Sequence, residues 1–177
     1  MKKKNFLFLA FLFLAFSAIA QTNSIHWMTI EEAQKADLQQ PKKIFVDVYT
    51  DWCGWCKRFD ATTYKDAKVI DYINQNFYPV KFNAEIKDSV TFNRTKFGFV
   101  QDWKVNGAAV QLMGGQLTGY PTTTYVDEKG EILSVVPGYL SSHDLLKVLH
   151  FFGDNSYLKT TWNAYSSSFD ASHSASN

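Results

Sequence analysis

"FVDVYTDWCGWCK", residues 45–57, decides how the chain reads. With Ile44 it opens on an almost continuous apolar run, Ile44–Tyr49, of the length and character of a strand buried on both faces of a helix-covered sheet. Cys53 and Cys56, the only two cysteines in the chain, follow at once. The pair therefore falls at a strand-to-helix junction, where a helix N-terminus presents unbonded N–H groups and the positive end of its dipole.

Working outward, the flanking segments alternate between helix and strand signals. Thr29 and Glu32 form a capping-box pattern that predicts a helix over 30–38. Asp66 caps a second predicted helix, with Val69, Ile70, Ile73 and Phe77 on one face. Tyr78–Asn83 reads as a second buried strand. Residues 85–117 read as helical, with breaks at Gly98, Gly107 and the pair Gly114 and Gly115. Thr122–Val126 is a strand, 127–130 a turn and 131–136 its antiparallel partner. A helix is expected over 142–152, and Trp162, Tyr165 and Phe169 share one helical face in an extension over 155–169. That face either closes over the core or binds a partner helix. Residues 171–177 are small and polar, as in a frayed tail.

The N-terminus has a different character. Lys2, Lys3 and Lys4 precede an apolar stretch from Phe6 to Phe16, and small residues stand at Ala18 and Ala20. This pattern predicts a signal peptide over 1–20, cleaved before Gln21, and an exported, periplasmic or secreted protein. A retained membrane anchor is the rival, but the stretch is shorter than the roughly 20 residues a spanning helix needs. Removing 1–20 takes three lysines from 18 basic residues and leaves 15 against 17 acidic ones, a net charge of −2. With no basic excess to neutralise phosphates, nucleic acid is not an expected partner. Residues 21–170 then suffice for a single domain. Export also puts the cysteine pair where disulfides persist.

Three chemistries compete for that pair. A structural zinc site needs four ligands, and His26, His143, His150 and His173 show no paired spacing to complete one. No metal is expected within the chain, which leaves only a site shared between two chains. A disulfide staple across two residues closes so small a loop that it removes little entropy from the unfolded chain. A redox couple gains from position. A Cys53 thiolate would face the helix N-terminus, with Lys57 and Arg58 one turn away. Such surroundings lower a thiol pKa from ~8.5 to about 3.5–7.5 and make Cys53 the nucleophile. Cys56, one turn further, can attack the resulting mixed disulfide.

The same stretch resembles the strand, active-site tryptophan, C-G-x-C pair and lysine of the thioredoxin superfamily. "VKFN" (80–83) is similar to that family's next central strand with its lysine, and "GYPT" (119–122) to its cis-proline loop. "PGYLSSHDLLKVL" (137–149) resembles the turn into its last helix. The matches span about 43–150 and imply an α/β, thioredoxin-like fold: a central mixed β-sheet flanked by helices. Within the superfamily, the C-G-W-C motif and "KVIDYINQNFYPVKFNAE" look most like exported bacterial thioredoxin-like proteins.

The resemblance implies catalytic roles for Cys53 as attacking cysteine, Cys56 as resolving cysteine, Asp47 as buried acid beneath them, and Lys81 as its neighbour. Substrate contacts are implied at Trp52, Gly54, Trp55, Tyr120 and a cis Pro121. Plainer readings stand beside these: a backbone-satisfied strand acid, a solvated edge lysine, a packing tryptophan and a trans loop proline. Two departures matter. Trp55 stands where the familiar reductase has proline, so the reduction potential is not inherited. Residues 86–118 exceed the family's minimum, and Phe92, Phe97, Phe99 and Trp103 suggest an extended helical segment before the cis-proline loop. The expected function is reduction or isomerisation of disulfides in cysteine-containing envelope proteins, with no cofactor beyond the redox-active pair and a membrane thiol electron donor. A disulfide-donating oxidase and a non-catalytic binding module are the alternatives.

Overall fold

Alternation along Ile44–Tyr49 (β1) divides the interior in two. Ile44, Val46 and Val48 point into one apolar cluster, and Phe45 points into the other. A computed structural model describes residues 24–174. The expected signal peptide at 1–20 and the last three residues of the tail lie outside the described residues.

β1 pairs in parallel with Tyr78–Asn83 (β2), Asp47 lying opposite Lys81. On its other side it runs antiparallel to Thr122–Val126 (β7), which pairs with Ile132–Pro137 (β8). The sheet order is β2-β1-β7-β8. One face is covered by Ile30–Gln39 (α1) and Gly107–Leu112 (α4), the other by Gly54–Ala61 (α2), Ala67–Asn76 (α3) and Ser142–Gly153 (α5). Helix starts follow the predicted caps. Thr29 and Glu32 close a reciprocal capping box on α1, and Asp66 accepts from Lys68 and Val69 at the head of α3. Ahead of α1, Met28 bridges in parallel to Val80, its N–H donating to the Pro79 carbonyl at 3.0 Å.

The segment between β2 and β7 differs from the helical expectation. Only α4 is helical there. Val90–Phe92 (β3) pairs with Thr95–Phe97 (β4), and Phe99–Val100 (β5) pairs with Val105–Asn106 (β6). The turns reverse through left-handed residues that are not glycine: Asn93 at φ 48°, Arg94 at φ 63° and Lys104 at φ 55°. Hairpin turns usually advertise themselves with Asn-Gly or Asp-Gly, and neither stands at these two turns; the Asn106-Gly107 pair lies instead at the start of α4. Val90, Phe92 and Val105 enter the core from these hairpins, so the extra residues extend one face of the interior.

The tail folds as a helix, Trp162–Ser174 (α6), which runs on past position 170 where fraying was expected. Phe169 is buried, and Tyr165 and Trp162 pack on Phe151 of α5 at 5.1 and 5.2 Å.

Candidate active site

The β1–α2 junction places the cysteines. Cys53 is the N-cap of α2, its Sγ accepting the Cys56 N–H at 3.0 Å. The two are joined as a disulfide, S–S 2.14 Å, with Cys53 only 4% and Cys56 1% exposed. The same N–H that meets the sulfur here would stabilise a Cys53 thiolate after reduction. Gly54 is exposed in the first turn, with open space around its α-carbon.

Around the pair the surface is aromatic. Trp52 and Trp55 are 66% and 57% exposed. The Trp52 indole N–H donates to Glu85 Oε1 at 3.0 Å, and its ring meets the Tyr120 ring edge-on at 5.9 Å. Trp55 lies 5.5 Å from Tyr139, and the Arg58 guanidinium sits 5.6 Å from both rings. Arg58 is thus engaged by the rim aromatics rather than pointing freely at the thiols. The Tyr120–Pro121 bond is cis, and Pro121 is buried.

Beneath the pair, the period of β1 puts Asp47 on the same face as Phe45, among aromatic residues. Its carboxylate is fully buried and ion-pairs through Oδ2 with Lys81. Oδ1 makes no hydrogen bond to a described residue. Burial pushes the Asp47 carboxyl above its usual range; the Lys81 ammonium pulls the other way without cancelling this, and Asp60 adds to the rise. For Lys81, burial lowers the pKa, but contacts with two carboxylates outweigh it and the net shift is upward. The Tyr64 hydroxyl nearby is pushed well above its ordinary value by burial and by Asp47's charge. A carboxyl raised in this way holds its proton more tightly than a free one and is the stronger base once ionised.

Asp47 and Lys81 are thus paired across β1 and β2, and Cys53 and Cys56 follow the end of β1 at the head of α2, with Trp52, Gly54 and Trp55 exposed, Tyr120 half-buried and Pro121 buried. Sequence reasoning missed Asp60, Glu85, Tyr139 and Trp27. Asp60 follows Cys56 by four residues and so lies one helical turn on, a spacing that was readable. Glu85 and Tyr139 stand just past the ends of β2 and β8, where the register had to be known first. Trp27 precedes the region of resemblance. Among the described residues, no group of three or more His, Cys, Asp or Glu side chains is placed to hold a metal ion.

Comparison with known proteins agrees with this geometry. The thioredoxin-like domain family matches residues 30–153. An uncharacterized protein of Archaeoglobus fulgidus is 32% identical over 72 residues, covering 40% of this chain and 57% of its own length. The thiol:disulfide interchange protein DsbD of Haemophilus ducreyi is 28% identical over 122 residues, covering 68% of this chain but 18% of DsbD. The chain thus spans little over half of one relative and under a fifth of the other. Among solved structures, a candidate disulphide isomerase from Bacteroides thetaiotaomicron superposes with a TM-score of 0.54 at 28% identity, over 75% of this chain and 95% of that one. A thioredoxin-fold protein from Helicobacter pylori gives 0.54 at 20% identity, over 84% and 89%, a likeness of fold alone. With the family match across most of the described residues and a C-G-W-C pair capping the helix that follows the first sheet strand, the chain belongs to the thioredoxin-like family.

Proposed function

We propose that the protein is an exported thiol–disulfide oxidoreductase that reduces or isomerises disulfides in other envelope proteins. The observation that carries this reading is Cys53 Sγ at the head of α2, hydrogen-bonded to the Cys56 N–H while disulfide-bonded to Cys56. In the reduced protein the Cys53 thiolate attacks a substrate disulfide, forming a mixed disulfide and releasing one substrate thiolate. Cys56 then gives its proton to the Asp47 carboxylate and attacks Cys53 Sγ. The second substrate sulfur leaves as a thiolate, and the Cys53–Cys56 disulfide remains. Isomerisation follows when a substrate thiol, rather than Cys56, resolves the intermediate. Trp52, Trp55 and Tyr120 supply the apolar lip on which a substrate segment lies.

Reduction outside the cytosol needs a supply of electrons, which we assign to a membrane thiol-transfer protein. The likeness to a thiol:disulfide interchange protein supports a place in such an exchange chain. The three lysines and the apolar stretch that follows them within residues 1–20 support export, with a single domain assigned to 21–170.

Trp55 stands where the familiar reductase has proline, so the potential is not inherited, and a disulfide donor is the second reading. Equilibration in glutathione buffers separates them: a potential near ~−270 mV supports the reductase and one near ~−120 mV the donor. Cys56→Ser is expected to accumulate disulfide-linked substrates and Cys53→Ser to accumulate none. Equal trapping by the two variants refutes the assigned roles, and a pair that never exchanges leaves a binding module.

A further inference from the structure

Asp60 has no part in the reaction outlined above, yet it shares the lysine on which that reaction depends. Lys81 Nζ lies 2.5 Å from Asp47 Oδ2 and 2.5 Å from Asp60 Oδ1. The rings of Trp27, Tyr49 and Tyr64 surround the same ammonium at 5.2, 5.1 and 4.9 Å. The two carboxylates differ in surroundings, since the Asp47 side chain is wholly buried and that of Asp60 is 48% exposed. A cavity of about 310 Å³ opens beside them between Trp27, Tyr64 and Lys65. It shares no residue with the Trp52, Trp55 and Tyr120 rim. Asp60 rides on α2, the helix that carries Cys56.

We propose that Asp60 is a positioning residue for the resolving step: by sharing Lys81 with Asp47, it sets how firmly Asp47 holds the proton it takes from Cys56. The proposal rests on the function assigned above. An ammonium between two carboxylates divides its N–H donors between them, and each carboxylate repels the charge of the other. Without Asp60, Lys81 would belong to Asp47 alone, and Asp47 would ionise readily and make a weaker base. With Asp60 holding the other side, Asp47 keeps its lysine for solvation but remains basic enough to deprotonate a thiol. Asp60's charge acts on Asp47 in this same direction. The cavity lets solvent reach Lys81 and Asp60 while substrate covers the rim.

The titratable groups facing Asp47 are Lys81 on β2, Asp60 on α2, Tyr64 in the turn Thr63–Lys65, and Tyr125 on β7, with Tyr49 on its own strand. Both tyrosines at Thr63–Lys65 and on β7 are shifted upward by burial and stay neutral in the working range. Lys65 lines the cavity mouth. With the cysteines joined as a disulfide, Asp60 and Lys81 are therefore the charged pair that faces Asp47.

The test is Asp60→Asn in the otherwise unaltered protein, read in two ways. The ¹³C NMR titration of the Asp47 side-chain carboxyl is expected to move to lower pH by about one unit. The acid limb of the disulfide-reduction rate is expected to move with it, while Asp60→Glu stays close to wild type. In a Lys81→Met background, Asp60→Asn is expected to shift Asp47 by less than half as much, because the part carried by the shared lysine is gone and only Asp60's direct charge remains. Asp47 titrating at the same pH with and without Asp60 overturns the proposal, as does a shift equally large without Lys81. A structural role alone would lower the melting temperature and leave both pH readings in place. If wild type exchanges no disulfides, the proposed function fails while the NMR titration still decides what Asp60 does.

Discussion

At the scale of single residues, Asp47 is where stability and chemistry pull apart. The native fold raises its carboxyl pKa by burial, so the native state holds the proton more tightly than the unfolded chain. Between the unfolded value of ~3.9 and the raised native one, stability falls as pH rises, and the deficit is complete above the native value. Asp47→Asn removes this deficit, and Lys81 keeps Asp60 as its partner. The variant is expected to gain on the order of 1 kcal/mol in urea unfolding at pH 8 and to lose that gain below pH 4. Its release step should slow tenfold or more, seen as mixed disulfide accumulating during turnover. The place of this acid in a buried strand was legible from the apolar run around it, and its expected role came from the resemblance of that run to the thioredoxin superfamily. For Asp60 only the position one turn beyond Cys56 was readable; its contact with Lys81 was not, since an exposed helical aspartate looks like any solvated surface charge until its neighbours are known.

At the scale of elements, the extra segment between β2 and β7 is held by one buried side chain. Asn106 Oδ1 caps α4 through the Ala108 N–H at 2.9 Å, and its amide donates to the carbonyls of Asp88 and Ile86 at 2.9 and 3.3 Å. Its own N–H donates to the Ala84 carbonyl at 2.7 Å. Asn106→Ala strands those carbonyls and uncaps the helix, and chemical denaturation is expected to show a loss of about 2–3 kcal/mol. Elements outside this segment were readable because caps and periodicity agree: Thr29 with Glu32, Asp66 with the apolar face of α3, and the alternation of β1. Inside it those signals fail. Strands of two or three residues are too short to show a period, and Asn93, Arg94 and Lys104 take left-handed conformations that composition does not announce.

At the scale of the whole molecule, α6 packs on α5, and its ring contacts are with α5 rather than with the cysteine rim. Deleting residues 161–177 uncovers Phe151 and removes the buried Phe169 ring. The expected cost is about 3 kcal/mol in unfolding free energy, with the reduction potential of the Cys53–Cys56 pair unchanged. A shift in potential on deletion would mean that α6 reaches the active site. The spacing of Trp162, Tyr165 and Phe169 had shown the helical face, but only the structure shows which surface it meets.

The bridge between Met28 and Val80 has a consequence for how copies of the protein can meet. A sheet grows into a fibre only when both of its outer strands can accept another chain. Here the second residue of β2 is Pro79, which has no N–H, and its carbonyl already receives the Met28 N–H. β8 is left as the open margin, and it closes on Pro137. Strand addition is therefore disfavoured at the start of β2 and at the end of β8, where a proline removes a donor from each margin.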